Sequence, residues 1–587
     1  MKLRKIYTSA GILLLSLFCI GDAVAKDAKF ETGVSFGSTG ADEPYSSLTD
    51  KDGNYYISGM CRGDVEFAGG ATIKGRGGMD AVIVKYDAEL NFLWARAVGG
   101  SKDDTFERIA VTSAGDIVAV GKISGDITID GTDQTLSGTQ STDGCIVVYD
   151  KDGNYKSSAQ IKAAGASLCY SVAVDKSDNI FVTGSTVGAT DFGNEKTVTI
   201  EGSNPGTFLA CYNNSLVCQW AIAGSSPVQS YGWAVNFDKE ENILLTGRFG
   251  TTFTITGTDG EALTTAVGSE SSQDTYVAKL SHEGVGQWIT YVTNSNRIDT
   301  RSIDSDSQGN VYIWGHCQSA VTPEGQSPLG FNGNFDSFLI KYSSAGAYLD
   351  GMNLGGSGRD EAKSLFVDAD DNIYVAGNVN GDGSKGGTAV NMNPRGESKD
   401  YTFKGHDGYV AKYNGSTWEL MQLEKTVTPD NANRHEVAWC VTMSPDYNKV
   451  YVTGYFNNGA TVFDGASLTL PFVRDYDIYT VLYSYTLMVK TKTLEPGVAN
   501  EPYYNNIVVD NVEGAVKFEI VSGTLPDGIT LSKDGAFAGT PTKNGSYTFF
   551  LQGGSGGVAG EGCSVLFIQD ECISEQCKRF VSCISGH

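Results

Sequence analysis

The sequence predicts an all-β chain: a seven-bladed β-propeller closed by an N-terminal strand, followed by a small β-sandwich. Three observations predict it. A short strand motif that ends in glycine occurs seven times. The intervals between copies hold alternating strands and turn residues with no helical period. Gly reaches 73 of 587 residues and aromatics 11%, while Pro is only 13, which suits many tight turns and aromatic strands and neither a helical bundle nor a disordered chain. Lys+Arg 43 against Asp+Glu 69 gives a net charge of −26, so affinity through phosphate neutralisation, and with it nucleic acid as a partner, is a poor fit.

In chain order, residues 1–25 read as a secretory signal peptide: Lys2, Arg4 and Lys5, an apolar run from Gly11 to Ile20, then Ala23-Val24-Ala25. The run is well short of the ~20 residues that span a bilayer. Phe18 is too large to precede a lipid-modified Cys19. The expectation is an exported monomer without a transmembrane segment, secreted or at the cell surface, the periplasm being a further option. Leaving out Cys19, eleven cysteines remain. Cys563, Cys572, Cys577 and Cys583 crowd the tail as candidate disulfide formers, and their spacing is not the paired C-x2-C of a zinc site.

Residues 26–490 carry the repeat. Its copies include Asp52 to Gly59, Gly115 to Gly121, Asp178 to Gly184, Glu241 to Gly247, Gly309 to Gly315, Asp371 to Gly377 and Asn448 to Gly454, with the closing glycines 62, 63, 63, 68, 62 and 77 residues apart. An alternating strand precedes each copy. A strand opened by an acid follows in six copies, at Asp80, Asp143, Asp274, Asp336, Asp407 and Asp477, and Thr207 opens it in the other. Four copies add a strand with Trp94, Trp220, Trp288 or Trp418. Four alternating strands per unit make a propeller blade. The last copy stops after its third strand, and Gly33 to Gly40 looks like the missing fourth, placed at the chain's other end where it removes two free edges.

These residues resemble the bacterial SBBP-type β-propeller repeat, in which an Asp-x-x-Gly-Asn-x-Tyr-Val-x-Gly strand is followed by Asp-x-Phe-Val-x-Lys-Tyr, then Trp and Gly-Gly. Asp368 to Gly377 with Asp407 to Tyr413 is the nearest copy. The resemblance implies a fold and no single activity. Beyond it, Glu501-Pro-Tyr503, Gly523 to Leu531, Asp534 to Thr542 and Gly545-Ser-Tyr547 resemble the immunoglobulin-like, cadherin-related domain of bacterial surface proteins, placed at residues 491–562, with a cysteine-rich tail at 563–587. Leu525-Pro-Asp-Gly528 and Gly539-Thr-Pro541 supply turns between its short strands.

Function in propellers sits on displayed loops, and the long second-to-third strand connections share a face with the linkers between blades, so that face is the expected site. Seventeen residues before the closing glycines stand Asp42, Asp104, Ser167, Ser230 and Asp360, with Asp299 one place off and His435 and Glu436 near the last. They form a polar ligand or cation site around the channel mouth, or they cap the backbone N–H groups of their own linkers; recurrence in most copies favours capping. Side chains that break the repeat are more informative: Tyr231, Trp233, Arg301, Glu361, His435 and Trp439 complete the candidate ligand face, with packing against the next blade as the alternative. No catalytic residues, metal site or cofactor are assigned. Asp304 to Asn310 has the look of a calcium loop but lacks the twelfth-position acid, and Asx turns explain its acids. Gly553 to Gly557 spells G-x-S-x-G outside any strand-to-helix turn. The expectation is a non-catalytic binding or adhesion protein for an extracellular protein or glycan; the alternative is a polysaccharide lyase or hydrolase using Asp104, Asp299, Asp360 and His435.

Overall fold

The computed structural model describes residues 28–485 apart from 267–272, 381–387, 404, 428–434, 458–461, 464–469, 471–474, and also 12–16, 19–20, 24–25, 488–489, 500–543 apart from 508, 511 and 514–516, 549–554 and 564–568. The chain divides into two compact units, residues 30–482 and a second made of 1–29 with 483–587. The larger one is a β-propeller, and among its described residues the one helical element is a 3-10 turn at Ala68–Gly70.

Each repeat lays down its strands in sequence, first beside second, second beside third, third beside fourth. In repeat 3 these are Ser167–Val174, Ile180–Thr186, Gly206–Tyr212 and Cys218–Ser225. The turn between the first two strands is built by one side chain. Asp50 Oδ1 accepts the N–H groups of Asp52 at 3.0 Å and Asn54 at 2.9 Å, and Asn54 Nδ2 donates to Oδ2 at 2.8 Å. Asp175, Asp238, Asp306 and Asp368 repeat this arrangement, which is the physical content of the recurring Asp and Asn. Trp418 lies in a left-handed turn (φ 59°) two residues before its strand, Leu420–Val427, whereas Trp94, Trp220 and Trp288 lie within theirs.

The second and third strands are buried along their length, as in Ile180–Thr186 and Gly206–Tyr212. The core therefore lies between neighbouring sheets. One cluster joins Tyr56 and Ile83 of repeat 1 to Phe106, Ile117 and Val147 of repeat 2. Repeats 1 and 7 meet in the same way: Tyr55 stacks on Tyr451 with centroids 4.5 Å apart, and Ser47 Oγ lies 2.8 Å from Thr442 Oγ1. The last sheet takes its fourth strand from Lys29–Phe36, beside Asp477–Ser484.

The long second-to-third connections do something their length alone does not reveal. They run outward and cover the fourth strand of the preceding repeat. Ile127–Thr128–Ile129 pair with Gly100–Gly99–Val98, Thr190–Asp191 with Ala163–Lys162, Thr254–Ile255 with Ser225–Gly224, Thr322–Pro323 with Thr293–Val292 and Val462–Phe463 with Val427–Thr426. In the two remaining cases the cover is packing: Val390, Met392 and Phe403 lie against Met352 and Leu354, and Phe67 against Phe36. Free sheet edges are thereby blunted.

In the smaller unit, Tyr503–Asn506 pairs with Ala536–Gly539, which pairs with Ile529–Leu531, and Lys517–Gly523 pairs with Phe549–Gly554. Ile12–Ser16 pairs with Ser564–Ile568. Cys563, Cys572, Cys577 and Cys583 lie outside the described residues. Cys61, Cys145, Cys169, Cys211, Cys218, Cys317 and Cys440 are buried free thiols.

Candidate functional site

Every first strand contains a β-bulge at the same place. In repeat 2, Phe106 faces Gly121 and Arg108 faces Val120, leaving Glu107 as the extra residue. The extra residues of the other repeats are Tyr45, Tyr170, Trp233, Arg301, Lys363 and Trp439. Opposite each bulge stands the closing glycine of the motif. The kink drives a first-strand carbonyl into the space that a Cβ would occupy: Thr105 O at Gly121, Leu168 O at Gly184, Val437 O at Gly454. The glycine and the bulge are one device, which re-aims a side chain out of the pleat.

All seven extra residues are half-buried, and together they line one cavity of about 60 Å³, joined by Arg108, Ser364 and Cys440. Ring contacts run from repeat to repeat. Tyr45 and Trp439 have centroids 5.6 Å apart, Tyr170 and Trp233 4.5 Å. The Arg301 guanidinium lies 5.1 Å from the Trp233 centroid and Lys363 Nζ 4.2 Å from that of Trp439. Arg108 Nη2 reaches the Arg301 carbonyl at 3.5 Å, from repeat 2 to repeat 5. Lys363 is held by Glu361 at 2.8 Å; burial lowers the lysine's pKa, Glu361 countering it. Burial raises the pKa of Glu107, whose carboxylate accepts from Thr105 Oγ1 at 2.7 Å. The cavity thus offers aromatic faces, three cations and one carboxyl group.

The expected mouth acids are placed elsewhere. Asp42 accepts from Arg62 N at 3.0 Å and from Ser38, Asp104 from Gly100 N at 3.0 Å and Ser124 N at 2.7 Å, and Asp360 from Gly356 N at 2.5 Å and Asn380 N at 3.0 Å. All three are at most 1% exposed. They clamp the linker before the strand to the end of the second strand, because linker N–H groups sealed from water must find acceptors. Ser167 and Ser230 are buried clamps of a second kind, accepting from Gly144 N and Thr207 N and donating to Ile161 O and Gly224 O. A ligand ring of exposed acids at these positions is therefore corrected to a backbone scaffold. Burial raises the pKa of Asp104 and Asp360 to about 7 and of Asp42 to about 6, against the backbone donors that pull it down.

Asp299 differs. Burial would raise its pKa, but His316, Arg301 and Arg248 hold it well below the carboxylate range. Arg297 Nη2 pairs with it at 2.6 Å and Arg248 Nη1 at 3.2 Å. Glu361, which likewise has a lowered pKa, with burial opposed by Lys363, His316 and Arg359, supports Lys363. Tyr231 stacks beside Trp233 at 5.7 Å under Arg248 at 4.8 Å. His435 stacks on His406 with centroids 4.0 Å apart; it does not line the cavity with Trp233, Arg301 and Trp439. In the Asp304 to Asn310 segment, Asp306 caps Gln308 N and Asn310 N and pairs with Lys341 at 3.0 Å, while Asp304 accepts from Val367 N at 2.9 Å. Among the described residues no three His, Cys, Asp or Glu side chains are grouped to hold a metal.

The sequence reading found Trp233, Arg301 and Trp439 but not Tyr45, Glu107, Arg108, Tyr170 or Lys363. The signal was present. Counting fourteen residues back from a closing glycine gives 45, 107, 170, 233, 301 and 363, and fifteen gives 439 in the last repeat; seventeen gives the clamps.

A family described as SBBP, beta-propeller repeat, matches residues 158–193, and the chain is a propeller repeat protein. An uncharacterized WD repeat-containing protein of Acanthamoeba polyphaga mimivirus is 21% identical over 435 residues, covering 60% of this chain and 31% of the relative. The chain thus spans about a third of that relative's length. Among solved structures, the Dos1 propeller is similar with 9% identity over 78% of this chain and 95% of that one, TM-score 0.35. Sqt1 from Chaetomium thermophilum shows 9% identity over 81% and 100%, TM-score 0.36. A protein of unknown function from Bacteroides caccae shows 9% identity over 55% and 93%, TM-score 0.25.

Proposed function

We propose that this is an exported, non-catalytic binding protein that recognises an extracellular protein or glycan at the central opening of a seven-bladed propeller, closed by its N-terminal strand and followed by an immunoglobulin-like sandwich that spaces or docks it. The observation that carries the reading is the contrast within the first strands: the bulge side chains meet in one cavity, and they are Tyr, Glu, Tyr, Trp, Arg, Lys and Trp in turn. Repetition serves the scaffold; a ring of unlike aromatic and charged groups serves recognition, where Trp, Tyr and Arg carry most binding energy. The lyase or hydrolase reading is less well supported, since the clamp acids Asp104 and Asp360 are engaged by backbone and Asp299 by arginines, leaving Glu107 as the carboxylate in the cavity where glycoside hydrolysis uses two.

The test is binding of the purified full chain to an extracellular glycan and protein panel, repeated with Trp439→Ala and Trp233→Ala. Either change weakens the bound partner by ~1–3 kcal/mol while melting is little altered. A partner whose affinity ignores both substitutions places recognition elsewhere.

A further inference from the structure

The cavity has an asymmetry of hydrogen bonding as well as of shape. Arg108 Nε, Arg301 Nε and Trp233 Nε1 are buried with no partner, and all three belong to residues that line it. Each is a donor. Native structures pair buried polar groups, and exceptions ask for an explanation. Here the protein supplies no acceptor: the acid nearest Arg301 is Asp299 at 4.0 Å, already held by Arg248 and Arg297. Lys363 pairs directly with Glu361, whereas Glu107 attracts Arg108 and Arg301 without taking up the Nε donor of either. Glu107, beside Arg108 in the same cavity, disfavours a second negative charge, as does the net −26 of the chain.

We propose that the cavity binds the single carboxylate of a terminal uronic acid on an otherwise neutral glycan. The carboxylate lodges between Arg108, Arg301 and the Trp233 indole N–H, and the sugar ring lies across Tyr45 and Trp439. A volume of about 60 Å³ takes a carboxylate head and a few waters, not a whole sugar ring, so the ring stays at the aromatic rim. Guanidinium forks match a carboxylate in geometry as well as charge. The inference rests on the binding reading above and narrows its ligand.

The probes are glucuronic acid, galacturonic acid and xylobiose carrying one glucuronic acid, each beside its methyl ester, with the tripeptide Gly-Gly-Glu as the peptide source of a carboxylate. Calorimetry with the full chain is expected to show binding of the acidic sugars. It weakens at least tenfold on esterification, in Arg301→Gln and in Arg108→Gln, and several-fold in Trp233→Phe, which keeps the ring and removes the donor; melting curves of each variant identify any that fail to fold. No binding to any acid sugar, equal binding of esters, equal or tighter binding of Gly-Gly-Glu, or indifference to all folded variants overturns the proposal. Should a neutral glycan or a protein bind and depend on Trp439, the binding reading stands while the uronate assignment falls.

Discussion

Two positions at the entry to the first strands, three residues apart in five of the repeats, teach opposite lessons. At the clamp, Asp42, Asp104 and Asp360 bind backbone N–H groups, and Ser167 and Ser230 do so with a different geometry. At the bulge, Tyr45, Glu107, Lys363, Tyr170 and Trp233 share their backbone conformation but mix aromatic, acidic and basic side chains. The first position solves a recurring problem, satisfying backbone N–H groups around the linker, though Asp104 and Ser167 take different donors to do it. The second only has to point inward. Chemical sameness along a repeat thus marks the frame, and chemical variety at a fixed backbone position marks the place where the proposed recognition would act.

The contrast can be broken by showing that frame changes alter binding alone, or that bulge changes alter folding. The largest effect is expected from a chain beginning at Ser38, which lacks Lys29–Phe36 and uncovers Asp477–Ser484; most of the folding stability is lost, and light scattering reports association through the open edge. Next comes Gly184→Ala, whose methyl meets the Leu168 carbonyl. It costs about 3 kcal/mol in denaturant unfolding, and loss of the bulge moves Tyr170. Asp104→Ala leaves Gly100 N and Ser124 N unpaired, for about 2 kcal/mol near pH 5.

The clamp acids also set a pH dependence. Their folded pKa values, about 7 for Asp104 and Asp360, lie above the unfolded value of about 3.9. Their contribution is therefore fully present below pH ~4 and lost as pH rises through 7. Melting temperature is expected to fall between pH 5 and pH 8, and to fall less in Asp104→Asn, which keeps an acceptor but does not ionise. A steeper fall in the variant contradicts the burial argument. The smallest effect on folding belongs to the bulge: Tyr170→Phe changes stability by less than about 0.5 kcal/mol, because its ring contact with Trp233 survives.

How much of this was legible depended on what the residues repeat. The strand order of each unit followed from Asp371 to Gly377 and Asp407 to Tyr413, since alternation and turn chemistry are local. The capping alternative for Asp104 was legible as well, because a linker's unsatisfied N–H groups can be counted from sequence. The cavity was not. Its members lie on seven strands separated by about sixty residues each, and what unites Glu107 with Arg301 is a bulge, a feature of pairing rather than of composition. Gly121 announced that bulge, yet a glycine in a strand reads equally as a turn or a close approach until its partner is known. His435 misled for a related reason: nearness to a linker in sequence does not decide whether a side chain turns toward the opening or toward His406.

The outward connections carry a consequence for the chain's history and its partners. Each repeat roofs its predecessor, like a tile laid over the one below, so no repeat is complete without the next. Gain or loss of a unit by duplication would succeed only if the cut fell between one repeat's roof and the following repeat's first strand, which keeps overlap and edge in matching pairs. Among the described residues the same tiling pairs the fourth strands of five repeats and packs over those of the other two, so the edges that remain belong mostly to the covering segments.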